Sequence, residues 1–165
     1  MSAHKGFSLI EMMVALCIVA ILISLATINM RFLNRAAITT NIDVMYNACY
    51  CLQKTAMATN TTQELTIDVL QHSFRTADIK HQFPATMQFG ILPNVKGPPS
   101  APLSFLSAAI TFVDRKILFY PDGTISAGII YITDTDKSMI YALSCGVSSV
   151  SVLRKYRYDG KWHLI

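Results

Sequence analysis

Charged residues are scarce in this sequence. Asp, Glu, Lys and Arg together make up 15% of its 165 residues, against about 25% in an ordinary soluble domain. Apolar residues make up 52%, which argues against a disordered chain and requires that part of the apolar excess lies away from water. The length is that of one domain and argues against a multi-domain enzyme. A net charge of +4 is too small to indicate by itself a nucleic acid or an acidic membrane as partner.

Residues that interrupt helices are absent from most of the first half of the chain. No proline precedes Pro84, and no glycine lies between Gly6 and Gly90. We therefore expect one long helix that runs to about Met57 and ends in the hydroxyl-rich segment 59–62. Its second half carries an apolar stripe at alternating spacings of four and three residues, which predicts a helix face that packs on a domain. The stripe consists of Ile38, Ile42, Met45, Cys49, Leu52 and Ala56.

Short β-type runs follow this helix, separated by turn signals such as Pro121-Asp122-Gly123. They predict an antiparallel sheet built from hairpins. Because one face of that sheet must cover the apolar stripe, we expect an α+β fold in which the helix packs by its second half on an antiparallel β-sheet domain. The expected strands are Leu65–Val69, Thr86–Ile91, Ile110–Val113, Ile117–Tyr120, Ile129–Thr133, Met139–Leu143 and Val147–Leu153, with a last pair around Asp159 and Gly160.

No set of catalytic or metal-binding residues can be assembled from the sequence. The four cysteines form no CxxC pair, which argues against zinc. His72, His81 and His163 have neither metal-ligand spacing nor a carboxylate neighbour that completes a catalytic set, and we expect them on the surface. Asp134 and Asp136 share a predicted turn, which is the simpler explanation of that pair than a calcium site. We therefore predict a protein that is not an enzyme and has no metal or cofactor.

The segment from Met12 to Met30 contains no charged residue. As a helix, its 19 residues cover most of a hydrocarbon core of about 30 Å. Glu11, one of only two glutamates, stands at the start of this segment. The segment is either a retained membrane anchor or a secretory signal peptide cleaved after Ala26, although a carboxylate at this position is unfavourable for a signal peptide.

Residues 5–14, which read KGFSLIEMMV, resemble the processing and methylation signature of type IV prepilins and of the pseudopilins of type II secretion. The resemblance implies cleavage between Gly6 and Phe7 by a prepilin peptidase, N-methylation of Phe7, and a role for Glu11 in assembly. It also implies three regions: a leader at 1–6, a transmembrane helix segment at 7–30, and a periplasmic pilin-like globular domain at 31–165 that includes the C-terminal half of the helix. The protein is then a single-pass protein of the bacterial inner membrane.

The chemistry of the cleaved terminus agrees with this resemblance. Cleavage leaves a cationic amine on Phe7, four residues before the carboxylate of Glu11. In a bundle of such helices, the amine of one subunit and the Glu11 carboxylate of a neighbour reduce each other's cost of burial. Alternatively, Glu11 lies in the first helical turn, where the helix dipole favours an anion.

Residues 117–124 (ILFYPDGT) and 128–132 (GIIYI), with the later Gly146, are similar to the globular part of H-type minor pseudopilins and FimT-like minor pilins. The resemblance implies a structural subunit that helps to initiate or cap a periplasmic filament of a type II secretion system. One alternative is a minor type IV pilin in pilus assembly or DNA uptake. The implied partners are other minor and major pilins or pseudopilins, the prepilin peptidase and the inner membrane. A second alternative, from a different class, is a secreted, soluble, β-rich binding domain with a conventional signal peptide.

Two further sites follow if the domain lies outside the cytoplasmic membrane. Disulfides persist there, so Cys49 and Cys145 are a candidate pair, with ordinary thiols as the alternative. The C-terminal stretch carries four cations and three aromatic residues, a composition that suits contact with DNA phosphates. The simpler interpretation is an edge strand protected by charge. The four cations are Arg154, Lys155, Arg157 and Lys161.

Overall fold

A computed structural model describes residues 8–98, 102, 104–146 and 152–165, with the side chains of residues 26–35 left out. It has one long helix, α1 (Leu9–Thr59), which ends within the segment expected from the sequence. Nine strands follow: β1 (Gln63–Asp68), β2 (Ser73–Arg75), β3 (Lys80–Gln82), β4 (Met87–Phe89), β5 (Lys116–Phe119), β6 (Gly128–Asp134), β7 (Ile140–Cys145), β8 (Leu153–Tyr158) and β9 (Trp162–Leu164).

The chain divides into two compact units, Met1–Ala37 and Ile38–Ile165. In the first unit, the described apolar side chains of α1 are exposed, from Leu9 to Leu25. None of the helical stretches whose side chains the structure describes has both the length and the apolar character that crossing a membrane requires. The predicted leader at 1–6 lies outside the described residues, and so do Phe7 and the side chains of 26–30 in the predicted transmembrane segment.

The second unit confirms the predicted apolar stripe. Five of its six residues are buried, and Leu52 packs against the same core while partly exposed. The stripe shares this core with residues from both sheets, among them Leu65, Phe119 and Leu143. The fold is therefore α+β and pilin-like, with the second half of the helix packed on antiparallel sheets, as the sequence predicts. Burial of apolar surface stabilises the fold by about 25 cal/mol per Å² and supplies the main stabilising term.

The strands form two sheets rather than the single sheet expected. One has the order β3-β2-β1-β5 and the other β4-β6-β7-β8-β9, and all pairings are antiparallel. The prediction missed β2 and β3, because three-residue strands are too short to show a period of two.

The predicted strand Ile110–Val113 is wrong. Ile110 makes one isolated bridge to Ile130, and a 3-10 turn begins at Val113. Asp114 and Arg115 have φ angles of 52° and 56°. Residues of a regular strand have negative φ angles, so the chain after Val113 is not extended. The predicted strand Val147–Leu153 lies outside the described residues up to 151, and β8 begins at its last residue.

The turn between β5 and β6 packs on the end of the helix. Gly123 has φ 84°, and a Cβ added there would lie 3.3 Å from Sδ of Met57. Nε2 of Gln53 donates a hydrogen bond of 2.6 Å to the Gly123 carbonyl oxygen. Hydrogen bonds from the hydroxyl and amide of Thr124 lower the pKa of Asp122. The Pro-Asp-Gly signal thus forms a turn that also fixes the C-terminal part of α1.

Candidate functional sites

The amino-terminal signature places Glu11 in a capping box at the start of α1. The backbone N–H of Ser8 donates a hydrogen bond of 2.8 Å to Oε2 of Glu11. In return, the backbone N–H of Glu11 donates to the Ser8 hydroxyl at 3.3 Å. This reciprocal pair satisfies amide groups that the helix start leaves without partners, as expected for a serine followed three residues later by a glutamate.

Glu11 therefore lies in the first turn of the helix, as one of the two interpretations of its role predicts. Its side chain is exposed, so the carboxylate is accessible to a charged group from outside this chain. Gly6 and Phe7, the predicted cleavage and methylation residues, lie outside the described residues. The role of Glu11 in assembly stays a prediction.

The candidate disulfide residues lie in the same core. Cys49 on α1 and Cys145 at the end of β7 are both buried and are free thiols in this structure. Burial, and to a lesser extent the neighbouring Cys145, raises the pKa of Cys49 to about 12. Since the thiolate is the reactive form, the Cys49 thiol is unreactive while the domain is folded. The pairing itself stays a prediction, whereas Cys17 and Cys51 are exposed.

The predicted basic patch does not form one free cluster of cations. Nζ of Lys155 on β8 lies 2.5 Å from Oδ1 of Asp43 on α1 and 4.9 Å from the centre of the Tyr46 ring. Nη2 of Arg157 lies 3.5 Å from Oδ2 of Asp159, so these two residues form an ion pair. Lys155 therefore holds the sheet to the helix instead of facing a partner.

Arg154 and Lys161, the other two predicted cations, are exposed. They lie on the C-terminal hairpin formed by β8 and β9. These two side chains are the part of the predicted patch best placed to contact an anionic partner.

The aromatic residues of the same stretch are built into the domain. Tyr156 is buried, and the Trp162 ring centre lies 5.2 Å from that of Tyr158 and 6.2 Å from that of Tyr131. Nε1 of Trp162 donates a hydrogen bond of 2.8 Å to the carbonyl oxygen of Lys96. Rings packed in this way are poor platforms for stacking bases.

The histidines differ from the sequence expectation in two respects. His72 and His81 are half-buried rather than exposed, and Nε2 of His81 lies 2.9 Å from Oδ1 of Asn41 on the helix. His163 has a carboxylate neighbour, since its Nε2 lies 2.8 Å from Oδ1 of Asp159. In the sequence, His163 follows Asp159 by four residues across the Asp-Gly turn, and this spacing could have predicted the pair.

Asp134 accepts backbone hydrogen bonds across the turn between β6 and β7. Oδ1 of Asp134 accepts hydrogen bonds from the backbone N–H groups of Ser138 and Met139 at 2.7 and 3.0 Å. Asp134, the last residue of β6, therefore stabilises the turn between β6 and β7. Within the described parts of the chain, no group of three or more His, Cys, Asp or Glu side chains is placed to hold a metal ion.

Comparison with known families identifies one segment of the chain. Residues 1–27 match the prokaryotic N-terminal methylation motif. This motif supports a type IV pilin-like protein that undergoes prepilin cleavage and N-terminal methylation. Comparisons with curated proteins and with solved structures find no significant match.

Proposed function

We propose that this protein is a minor pseudopilin, a structural subunit that is cleaved between Gly6 and Phe7 and N-methylated at Phe7. Segment 7–30 then retains it in the inner membrane, with the globular domain in the periplasm. The methylation motif at residues 1–27 supports this proposal, and so does the uncharged sequence from Met12 to Met30.

The single observation that carries the assembly role is the position of Glu11. The Ser8–Glu11 capping box fixes the carboxylate at the beginning of α1, four residues along the sequence from the terminus that cleavage would create at Phe7. The side chain remains exposed. In a filament, the terminal amine of one subunit pairs with Glu11 of the next, and the low dielectric constant between packed helices strengthens that attraction.

Of the two filament systems, we favour a role in a type II secretion system. The support is the pairing of Lys155 and Arg157 with carboxylates of this chain, which leaves two of the four predicted cations to contact DNA. The similarity of segments 117–124 and 128–132 covers H-type minor pseudopilins and FimT-like minor pilins alike. The protein then joins other minor and major pseudopilins and helps to initiate or cap a short periplasmic filament, with no catalytic step of its own.

A minor type IV pilin in pilus assembly or DNA uptake is the second candidate. The specific observation in its favour is the exposure of Arg154 and Lys161 on the C-terminal hairpin. Two exposed cations give a weak and salt-sensitive attraction to phosphates, which suits transient contact with DNA better than tight binding.

Deletion of the gene, followed by complementation with the wild-type chain, separates these candidates. We expect loss and recovery of protein secretion, and chemical cross-linking of the chain to pilin-like subunits in the membrane fraction. Loss of pilus assembly or of DNA uptake, with secretion intact, supports the second candidate instead. A strain that keeps all three activities, with the chain recovered outside the membrane fraction, would contradict both.

A further inference from the structure

The outer face of the β3-β2-β1-β5 sheet carries a row of polar side chains. Lys80 on β3 is directly opposite Arg75 on β2, Arg75 is opposite Thr66 on β1, and Thr66 is opposite Lys116 on β5. Residues directly opposite each other share one face of a sheet. The alternate residues Leu65, Ile67 and Phe74 are buried in the core, so this row belongs to the face turned away from it.

Arg75 and Lys80 form a cross-strand pair of like charges. Such a pair destabilises a sheet unless a counter-charge is near. The third cation of the row, Lys116, has one, because its Nζ lies 3.1 Å from Oε2 of Glu64. Among the described residues, Nζ of Lys80 contacts a neutral partner alone, Oε1 of Gln71 at 2.6 Å. In the described part of the chain, no carboxylate lies within ion-pair distance of Arg75.

The two cations border a pocket of about 320 Å³. Thr66 and Ser73 line it as well, and a hydroxyl group can donate to an oxygen atom. The pocket is lined by Thr66, Asp68, Gln71, Ser73, Arg75 and Lys80. It is large enough for a small oxyanion with some of its water, since a water molecule occupies about 30 Å³ in the liquid.

Asp68 limits the charge that the pocket can accept. Its Oδ1 accepts hydrogen bonds of 3.0 Å from the backbone N–H groups of Leu70 and Gln71, so the carboxylate shapes the turn between β1 and β2. Its negative charge offsets one of the two cations. A singly charged group therefore suits the pocket better than a multiply charged one.

We propose that this pocket is an anion-binding site for one oxyanion group, a carboxylate or a phosphate, held by Arg75 and Lys80 with the Thr66 hydroxyl as a further donor. A planar guanidinium binds either group through two parallel hydrogen bonds. The site is independent of the processing signature and of the proposed function. A carboxylate would come from a protein partner, and a phosphate from a lipid, a nucleic acid or a free metabolite.

The test is a titration of the full-length, isotopically labelled chain in neutral detergent micelles, followed by its amide NMR signals. Sodium acetate and sodium phosphate are added separately, with sodium chloride holding the ionic strength constant. We expect saturable shifts of the amide signals of Thr66, Ser73, Arg75 and Lys80. Tighter binding of acetate identifies a carboxylate site, and tighter binding of phosphate identifies a phosphate site.

The variants Arg75→Gln and Lys80→Gln should each weaken binding by about tenfold, since each removes a charge-assisted hydrogen bond. Lys116→Gln is the matched control, because it removes the same charge from the same row outside the pocket and should leave binding unchanged. All three side chains are on the sheet surface, and unchanged signals elsewhere confirm that each variant is folded. Non-saturating shifts with both anions, or equal binding by Arg75→Gln and the wild type, would overturn the proposal.

Discussion

The ammonium group of Lys155 on β8 lies 2.5 Å from the carboxylate of Asp43 on α1. The same ammonium group lies over the ring of Tyr46, one helical turn further along α1. A residue that the sequence marks as part of a basic contact patch is thus a link between the β4-β6-β7-β8-β9 sheet and the helix.

Replacement of Lys155 should therefore lower the stability of the domain. Lys155→Ala removes an ion pair and a cation–π contact, and we expect the free energy of unfolding to fall by about 1–2 kcal/mol. Chemical denaturation followed by circular dichroism measures this change. Arg154→Ala is the control, since Arg154 is the exposed preceding residue and its loss should change stability by less than about 0.5 kcal/mol. Equal effects of the two variants would refute the link.

Gly123→Ala should destabilise the turn that packs on the helix end. Its φ of 84° strains any residue with a Cβ, and the added atom would meet Sδ of Met57 at 3.3 Å. We expect a loss of about 1–2 kcal/mol in the free energy of unfolding. At Gly160, φ is also positive but no atom lies within 4 Å of an added Cβ, so Gly160→Ala separates backbone strain from the contact with Met57. A Gly123→Ala protein as stable as the wild type contradicts the described turn.

The structural features that depend on residues close together in the sequence could be predicted from it. The burial of Ile38, Ile42 and Met45 follows from helical periodicity, and the turn at Gly123 follows from a local Pro-Asp-Gly signal. The capping box also has a local pattern, a serine three residues before Glu11.

The remaining features depend on contacts between distant parts of the chain. Lys155 and Asp43 are 112 residues apart, and no local pattern indicates that they meet. The alignment of Arg75 with Lys80 requires the register of two strands that are too short to be predicted. The Ile110–Val113 run has strand composition, but tertiary context overrides that propensity and leaves one isolated bridge there.

The buried Cys49 thiol should make stability depend on alkaline pH. Its pKa is raised from 9.0 to about 12, so the folded state binds a proton that the unfolded state releases above pH 9. Its contribution to stability is complete below about pH 9 and is lost as the pH rises towards 12. Cys49→Ala should flatten this part of the profile of unfolding free energy against pH. The burial that raises the pKa of Tyr131 to about 12 leaves a residual slope in the variant. An unchanged profile for Cys49→Ala would contradict the burial of this thiol.

Glu11→Ala should weaken incorporation into a filament while leaving cleavage intact. The variant keeps the apolar helix but removes the carboxylate that pairs with a neighbouring amine. Recovery of the chain in a purified filament fraction measures incorporation. Ser8→Ala is the matched control, because it removes one hydrogen bond of the same capping box and keeps the carboxylate. Equal loss in both variants would show that helix capping, and not intersubunit pairing, is the function of Glu11.

The mass of the mature amino terminus tests the central claim most directly. In the wild-type chain isolated from membranes, tandem mass spectrometry should find a first residue Phe7 bearing one methyl group, with the apolar sequence that follows it retained. The variant Gly6→Leu should keep its leader. A functional chain that begins after Ala26, or that still carries residues 1–6, would contradict the account.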